Sequence, residues 1–355
     1  MNVKIYDVII CGAGPAGTSA GYKLVSSGLK VLIFDQYKFP RIKSCAGAIP
    51  YSLTEDIPEL KNIIEAESDE IIFSSRLENR LVKKLKNKIN FIMRNEFDML
   101  LLDRAKKQGC IFNESERLID AQIKNDLIEI KTDKNILLTK YLIGADGALS
   151  SVNRIFQIIE KNNGLAINAE IKIKPKIFEK FKSKILIDIG GCENGYFWAF
   201  PKKNHISFGM DSSNGKYRDF KKKFFMTLKK MIEDFNERDI IYMKGAPMPF
   251  FNRKEKLNKN NVLLVGDAAN LVNPFNGAGI CFAIKSGGFA ADAIITAEKE
   301  KKTIDKYNGS LSEITDSFVK AKHRAEYFFK YEKFIASVYS EEKTLELFGK
   351  FFLRI

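Results

Sequence analysis

Apolar residues fall into three patterns along this chain. The first is the unbroken run. Val3 to Cys11, Lys30 to Phe34, Leu142 to Ile143 and Val262 to Val265 each end in glycine or aspartate. Short runs with such ends read as strands covered on both faces. The second is alternation. Leu165 to Ile173 alternates apolar and polar positions, and Ile185 to Ile189 and His205 to Met210 continue the pattern. This predicts an antiparallel sheet with one face buried. Leu127-Ile128-Glu129-Ile130, between Cys110 and Asp146, gives shorter strands. The third is helical spacing, over Arg94 to Gly109, over Ile280 to about Ala297, and in the Phe/Lys-rich stretches 327–334 and 345–352.

The order of these patterns predicts an α/β chain, α+β overall. Residues 1–160 form the first part of a nucleotide-binding domain, and 161–247 an inserted antiparallel sheet for substrate. Residues 248–300 complete the first domain, and 301–355 are helical.

The first run leads into Gly12-Ala13-Gly14-Pro15-Ala16-Gly17, then a helix, then a second strand ending in Asp35. Gly12 permits a tight turn, Gly14 lets the backbone approach a pyrophosphate, and Gly17 lets helix and strand pack closely. The helix amino terminus offers N–H groups and partial positive charge to phosphates. Asp35 is placed to accept hydrogen bonds from a ribose. Strand, turn, helix and acid together predict dinucleotide binding, with NAD and FAD both open at this point.

Two later segments narrow the choice. Gly144-Ala145-Asp146-Gly147 follows a strand, and Gly266-Asp267-Ala268-Ala269 follows another. Asn273-Pro274-Phe275-Asn276-Gly277-Ala278-Gly279 then opens a helix. With the first motif, these resemble the three fingerprints of the group A flavoprotein hydroxylases, over about residues 1–300. The resemblance implies a Rossmann-like FAD-binding domain. Asp146 would serve the cofactor, and Gly266 and Asp267 the ribityl chain. Pro274, Gly277, Ala278 and Gly279 would pass beside the flavin, facing its N1/O2 edge with a helix amino terminus.

Phe39-Pro40-Arg41-Ile42-Lys43-Ser44-Cys45-Ala46-Gly47 sits where the chain crosses toward that cofactor. Its Pro-Arg-x-Lys-x-Cys-x-Gly pattern resembles the geranylgeranyl reductases, FAD enzymes that saturate isoprenoid double bonds. Gly195-Tyr196-Phe197-Trp198-Ala199-Phe200-Pro201 resembles their Tyr-x-Trp-x-Phe-Pro signature, and Arg94 to Asp98 their Arg-x-x-Phe-Asp helix start. The resemblance implies that Cys45 is catalytic on the flavin's reactive side. It further implies that Arg41, Lys43, Ala46, Gly47 and Arg94 lie at the cofactor, and that Tyr196, Trp198, Phe200 and Pro201 bind substrate. Ala46 departs from the family's usual Cys-Gly-Gly, and the chain is short after the Gly-Ala-Gly loop. The alternative is an oxygen-using monooxygenase or halogenase. Halogenases carry a related Trp-x-Trp-x-Ile-Pro signature, and Tyr196 and Phe200 favour the reductase.

Composition then limits the setting. The chain has 355 residues, 45% hydrophobic, which excludes wholesale disorder. Five scattered cysteines lack a CxxC pair and suggest neither a disulfide framework nor a zinc site; no metal is expected. His205 and His323 read as structural. No apolar run is read as reaching the roughly 18 residues of a spanning helix. The net charge of +14 admits nucleic acid, an anionic membrane or an acidic ligand, or reflects codon bias alone. A basic sheet with stacking aromatics is not evident, so nucleic acid is disfavoured. An isoprenoid substrate makes a membrane surface the leading partner and a cytoplasmic, peripheral location the expectation. The electron donor is NAD(P)H or a ferredoxin-type carrier.

Overall fold

The computed structural model describes residues 5–161, 164–189, 191–213, 219–301, 303–338 and 340–353. Val3, at the head of the first run, lies outside the described residues. So do the side chains of 331–334 in the predicted Phe/Lys helix.

The elements in chain order are β1 (Ile5–Cys11), α1 (Pro15–Ser26), β2 (Val31–Phe34), β3 (Ala48–Pro50), α2 (Tyr51–Asp56), β4 (Ile64–Ser75), β5 (Arg80–Ile92) and α3 (Arg94–Lys107). Next come β6 (Ile111–Asn113), β7 (Leu118–Lys124), β8 (Leu127–Thr132), β9 (Ile136–Gly144) and α4 (Ser151–Phe156). The middle gives β10 (Gly164–Ile171), α5 (Pro175–Phe181), β11 (Lys184–Ile189), β12 (Phe197–Pro201), β13 (Ile206–Ser212), α6 (Phe220–Met231) and β14 (Ile240–Met248). The chain closes with β15 (Asn258–Lys259), β16 (Val262–Leu264), α7 (Ile280–Glu300), α8 (Lys306–Ser310), α9 (Ser312–Val338) and α10 (Glu341–Phe352).

Sheet I has the path β15-β16-β9-β1-β2-β6, parallel from β16 to β6, with β7 and β8 attached to β9 as an antiparallel meander. The unbroken apolar runs supply its centre, and Val8, Ile9 and Ile10 are fully buried. Helices α1 and α7 pack together beside it. Sheet II runs β14-β10-β13-β12-β11-β4-β5-β3, antiparallel except where β11 pairs with β4.

Three findings differ from the sequence reading. First, β3, β4 and β5 come from the range read as nucleotide domain, yet they build one edge of sheet II. Their sequence is rich in charge, and only the pairing across sheet II reveals their place. Second, the central strands of sheet II are buried on both faces. Leu186, Phe197, Ala199, Phe208 and Met210 face α6. The opposite face carries Phe73, Ile187, Tyr196 and Trp198, but also Asn168, Glu170 and Ser207, all buried. Alternation assigns residues to a face; it does not say what covers that face. Third, α7 is long and apolar enough to cross a membrane by length and composition. It packs instead on α1, where a Cβ at Gly287 would lie 2.2 Å from the Ala16 carbonyl oxygen.

Two carboxy-terminal phenylalanines are also spent inside. Phe328 and Phe348 are fully buried, and Phe348, Phe351 and Phe352 ring Phe275 with centroids 5.3 to 6.4 Å away. Such packing is how aromatic rings contribute most to a core.

Candidate functional site

The phosphate turn is built by contacts too close for side chains. Gly12 has φ +109°, and a Cβ there would lie 2.3 Å from the Ala145 oxygen. A Cβ on Gly17 would lie 2.0 Å from the Gly12 oxygen. Pro15 opens α1, where its missing N–H costs nothing, and Gly14 caps the helix without a side chain. The first N–H groups of α1 therefore face outward with no capping group of their own. Asp35 is buried at the turn; it accepts from the Ala13 N–H and the Tyr37 N–H, both at 2.9 Å. Its observed partners are thus the turn, the Tyr37 backbone and, at 3.9 Å, Arg41 Nε, and it stands at the place expected for a ribose.

A chain of buried charges runs beside the turn. Arg94 donates twice to Asp98, at 2.8 and 2.9 Å, and Arg41 Nη1 reaches the same carboxylate at 3.1 Å. A Cβ on Gly14 would lie 3.5 Å from Arg41 Nη2. Arg41 Nε is buried and has no hydrogen-bond partner among the described residues. Burial opposes the charge of Arg94, but Asp98 and then Cys45 raise its pKa above the usual arginine value. The guanidinium is permanently charged.

Lys43 Nζ donates to Asp267 Oδ2 at 2.9 Å, which joins the loop before Cys45 to the Gly-Asp motif. Burial works to protonate Asp267, yet Lys43, Arg94 and Lys161 hold it below the usual carboxylate range. Lys161 belongs to no motif. Its ammonium bonds the Asp267 and Ala268 carbonyls at 3.2 and 2.9 Å, and burial lowers its pKa to about 8. Asp146 caps α4 by accepting from the Ser151 and Val152 N–H groups at 2.6 and 3.1 Å. Burial nonetheless raises its pKa, and its Oδ1 has no partner among the described residues.

The Asn273–Gly279 loop closes on the same space. Gly266 (φ +56°) abuts Ala16, a Cβ there lying 3.1 Å from the alanine Cβ. Pro274 is buried, and Ala278 returns its carbonyl to the Asn273 N–H at 2.9 Å. Gly279 caps α7, and a Cβ there would lie 3.8 Å from Asp267 Oδ1. The Tyr196 hydroxyl donates to the Asn276 carbonyl at 2.7 Å, and Asp211 Oδ2 faces Gly277. So sheet II begins where the loop ends. From Tyr196 the inner face continues through Trp198 and Phe200, with centroid steps of 5.9 and 6.2 Å, while the buried Pro201 ends β12 on the face of Phe197 and Ala199. Trp198 Nε1 is buried without a partner among the described residues.

Cys45, Ala46 and Gly47 sit between these two halves. Gly47 (φ +70°) donates its N–H to Cys45 Sγ at 3.4 Å, and a Cβ there would lie 2.0 Å from the Ile92 oxygen. The predicted residues thus gather in one place, the phosphate-turn group on sheet I and the aromatic group on sheet II. Sequence reasoning missed Lys161, Lys202, Glu170 and Asp211. Only Lys202, which directly follows the Phe-Pro signature, had a nearby signal.

These residues fit FAD. The side-chain-free turn, the helix start without a side-chain cap and Arg41 Nε, which has no hydrogen bond among the described residues, suit a pyrophosphate. Residues 5–320 match the family model described as an FAD binding domain. An uncharacterized protein of Methanosarcina barkeri is 32% identical over 309 residues, 84% of this chain and 77% of its own. A geranylgeranyl diphosphate reductase of Rhodobacter capsulatus is 28% identical over 316 residues, 84% of this chain and 78% of the relative. Among solved structures, a geranylgeranyl bacteriochlorophyll reductase-like protein of Thermoplasma acidophilum superposes with TM-score 0.81 at 20% identity. That likeness covers 99% of this chain and 96% of the other.

Proposed function

Because the chain belongs to the FAD-binding family and is a relative of the geranylgeranyl reductases, we propose that it saturates carbon–carbon double bonds of an isoprenoid chain. The observation that carries this reading is the junction at Tyr196. There the aromatic face of sheet II meets the Asn273–Gly279 loop through a 2.7 Å hydrogen bond. An apolar chain lying on that face is delivered to the cofactor.

FAD, when bound, supplies the reducing equivalents. The chain's own residues do the rest. Arg41, Arg94 and the α1 amino terminus hold the phosphates, and the Lys43–Asp267 pair fixes the ribityl side. Phe73, Phe275 and Trp198 build the apolar inner face, on which Phe348 and Phe352 of α10 pack and exclude water. Cys45 orients the alkene at the meeting point. The electron donor is NAD(P)H or a ferredoxin-type carrier.

Burying an isoprenoid from water gains about 0.8 kcal/mol per CH₂, but from a bilayer almost nothing. The enzyme therefore takes its substrate at the inner surface of the cell membrane, drawn there by its lysines. The test is anaerobic single turnover of the reduced holoenzyme with a geranylgeranyl lipid or diphosphate, followed by mass spectrometry. Gain of two hydrogens per bond without dioxygen is expected. Product that forms only with dioxygen would overturn the reading in favour of an oxygenase.

A further inference from the structure

Lys202 ends the aromatic signature, yet its ammonium is 1% exposed. Nζ donates to the Ala46 carbonyl and to the Ile92 carbonyl, both at 2.8 Å. These two oxygens flank Gly47, whose own carbonyl accepts from the Ile92 N–H at 2.9 Å. One side chain of sheet II thus grips the loop after Cys45 and the strand end before Arg94. A neutral donor would satisfy two carbonyls, and a buried ammonium is costly unless anions answer it. The carboxylates that answer are Glu170 and Glu65, which oppose the lowering of the lysine pKa by burial. Glu170 is itself locked: Oε2 meets His205 Nε2 at 3.0 Å, and Oε1 accepts from Asn168 at 2.8 Å and Ser207 at 3.0 Å. Those partners and Lys202 keep it below the ordinary glutamate range although burial works the other way. Arg94 lies within hydrogen-bonding reach of the Cys45 thiol.

We propose that Lys202 is a positioning residue for the proposed reaction: it clamps the Cys45–Gly47 loop against sheet II and, with Arg94, sets a positive field at the Cys45 sulfur. Gly47 is glycine because its φ is +70° and a Cβ there would lie 2.0 Å from the Ile92 oxygen, the same oxygen that Lys202 grips. The inference rests on the reading that this loop borders the cofactor, but its test needs no turnover.

The test compares alkylation of Cys45 by iodoacetate, an anion, and iodoacetamide, its neutral counterpart, in the FAD-loaded protein. Peptide mass mapping separates Cys45 from the other thiols. A positive field raises the iodoacetate-to-iodoacetamide rate ratio, and loosening of the loop alone does not. Lys202→Met is expected to lower the ratio about tenfold, and Lys202→Arg to restore much of it. Glu170→Gln, which leaves the lysine and removes its counter-charge, is expected to raise the ratio. An unchanged ratio in folded Lys202→Met overturns the proposal. If that variant does not fold, an unchanged ratio in Glu170→Gln overturns it, as does a Cys45 inert to both reagents in the parent protein. Absence of alkene reduction with the ratio changes intact would instead sink the reductase reading alone.

Discussion

Asp211 is 2% exposed on the inner face of sheet II; the Tyr196 N–H donates to one carboxylate oxygen at 3.0 Å and Gly277 faces the other. Burial raises its pKa to about 7. An unfolded aspartate titrates near 4. Between these values the folded chain holds a proton that the unfolded chain has released, so stability falls as pH rises from about 4 to about 7. Asp188, raised by burial to about 6, adds a smaller slope of the same sign. Asp211→Asn is expected to lose about 2 kcal/mol less than the parent between pH 5 and pH 8 in urea titrations. Equal slopes would mean that Asp211 ionises normally. Cys45→Ala is expected to keep FAD, read from its visible absorbance, while turnover falls about 100-fold; unchanged turnover would remove Cys45 from the reaction. At this scale Cys45, Arg94 and Asp267 were readable because their neighbours form motifs. Lys161, Lys202, Glu170 and Asp211 were not, because each gains its meaning from a partner distant in sequence, such as Ala46 for Lys202.

Among the elements, α1 and α7 carry the cofactor side. Their axes approach closely because Gly287 presents no Cβ toward the Ala16 carbonyl. Gly287→Ala forces the helices apart in a packed core. We expect a loss of about 1–3 kcal/mol and weaker FAD retention, measured by thermal melts with and without added FAD. A variant as stable as the parent would mean that the interface accommodates the methyl. The glycine-rich turn, α3 and α7 were legible, since each has its own motif or helical period. The edge strands β3 to β5 were not. Lys83, Lys84, Lys86 and Lys88 give β5 the look of a solvated segment, and its role follows only from its pairing with β4 and β3.

For the whole molecule the open quantity is the charge of +14. The burial of Phe328 and Phe348 leaves those rings unavailable for a membrane interface, so attraction to a bilayer must rest mainly on lysines. Many of these lie on β5, α5 and α6. Each basic residue near an anionic surface contributes about 1 kcal/mol, screened beyond about 10 Å at 0.1 M salt. The protein is expected to float with vesicles containing anionic lipid at low salt and to stay behind at about 0.5 M salt. Flotation independent of salt, or none at all, would leave the charge without that use.

The sequence by itself determined the FAD-binding architecture and singled out most of the residues that the fold gathers beside the phosphate turn. The turn, the Asp267 motif and the Gly277 loop are short-range constraints, each written in consecutive residues. Tertiary structure alone decided that residues 48–92 belong to the second sheet and that its polar inner face is buried. It also decided that a lysine of that sheet holds the Cys45 loop. These are pairings between segments far apart along the chain. A pattern of hydrophobic and polar positions fixes which way a side chain points, but not what it meets there.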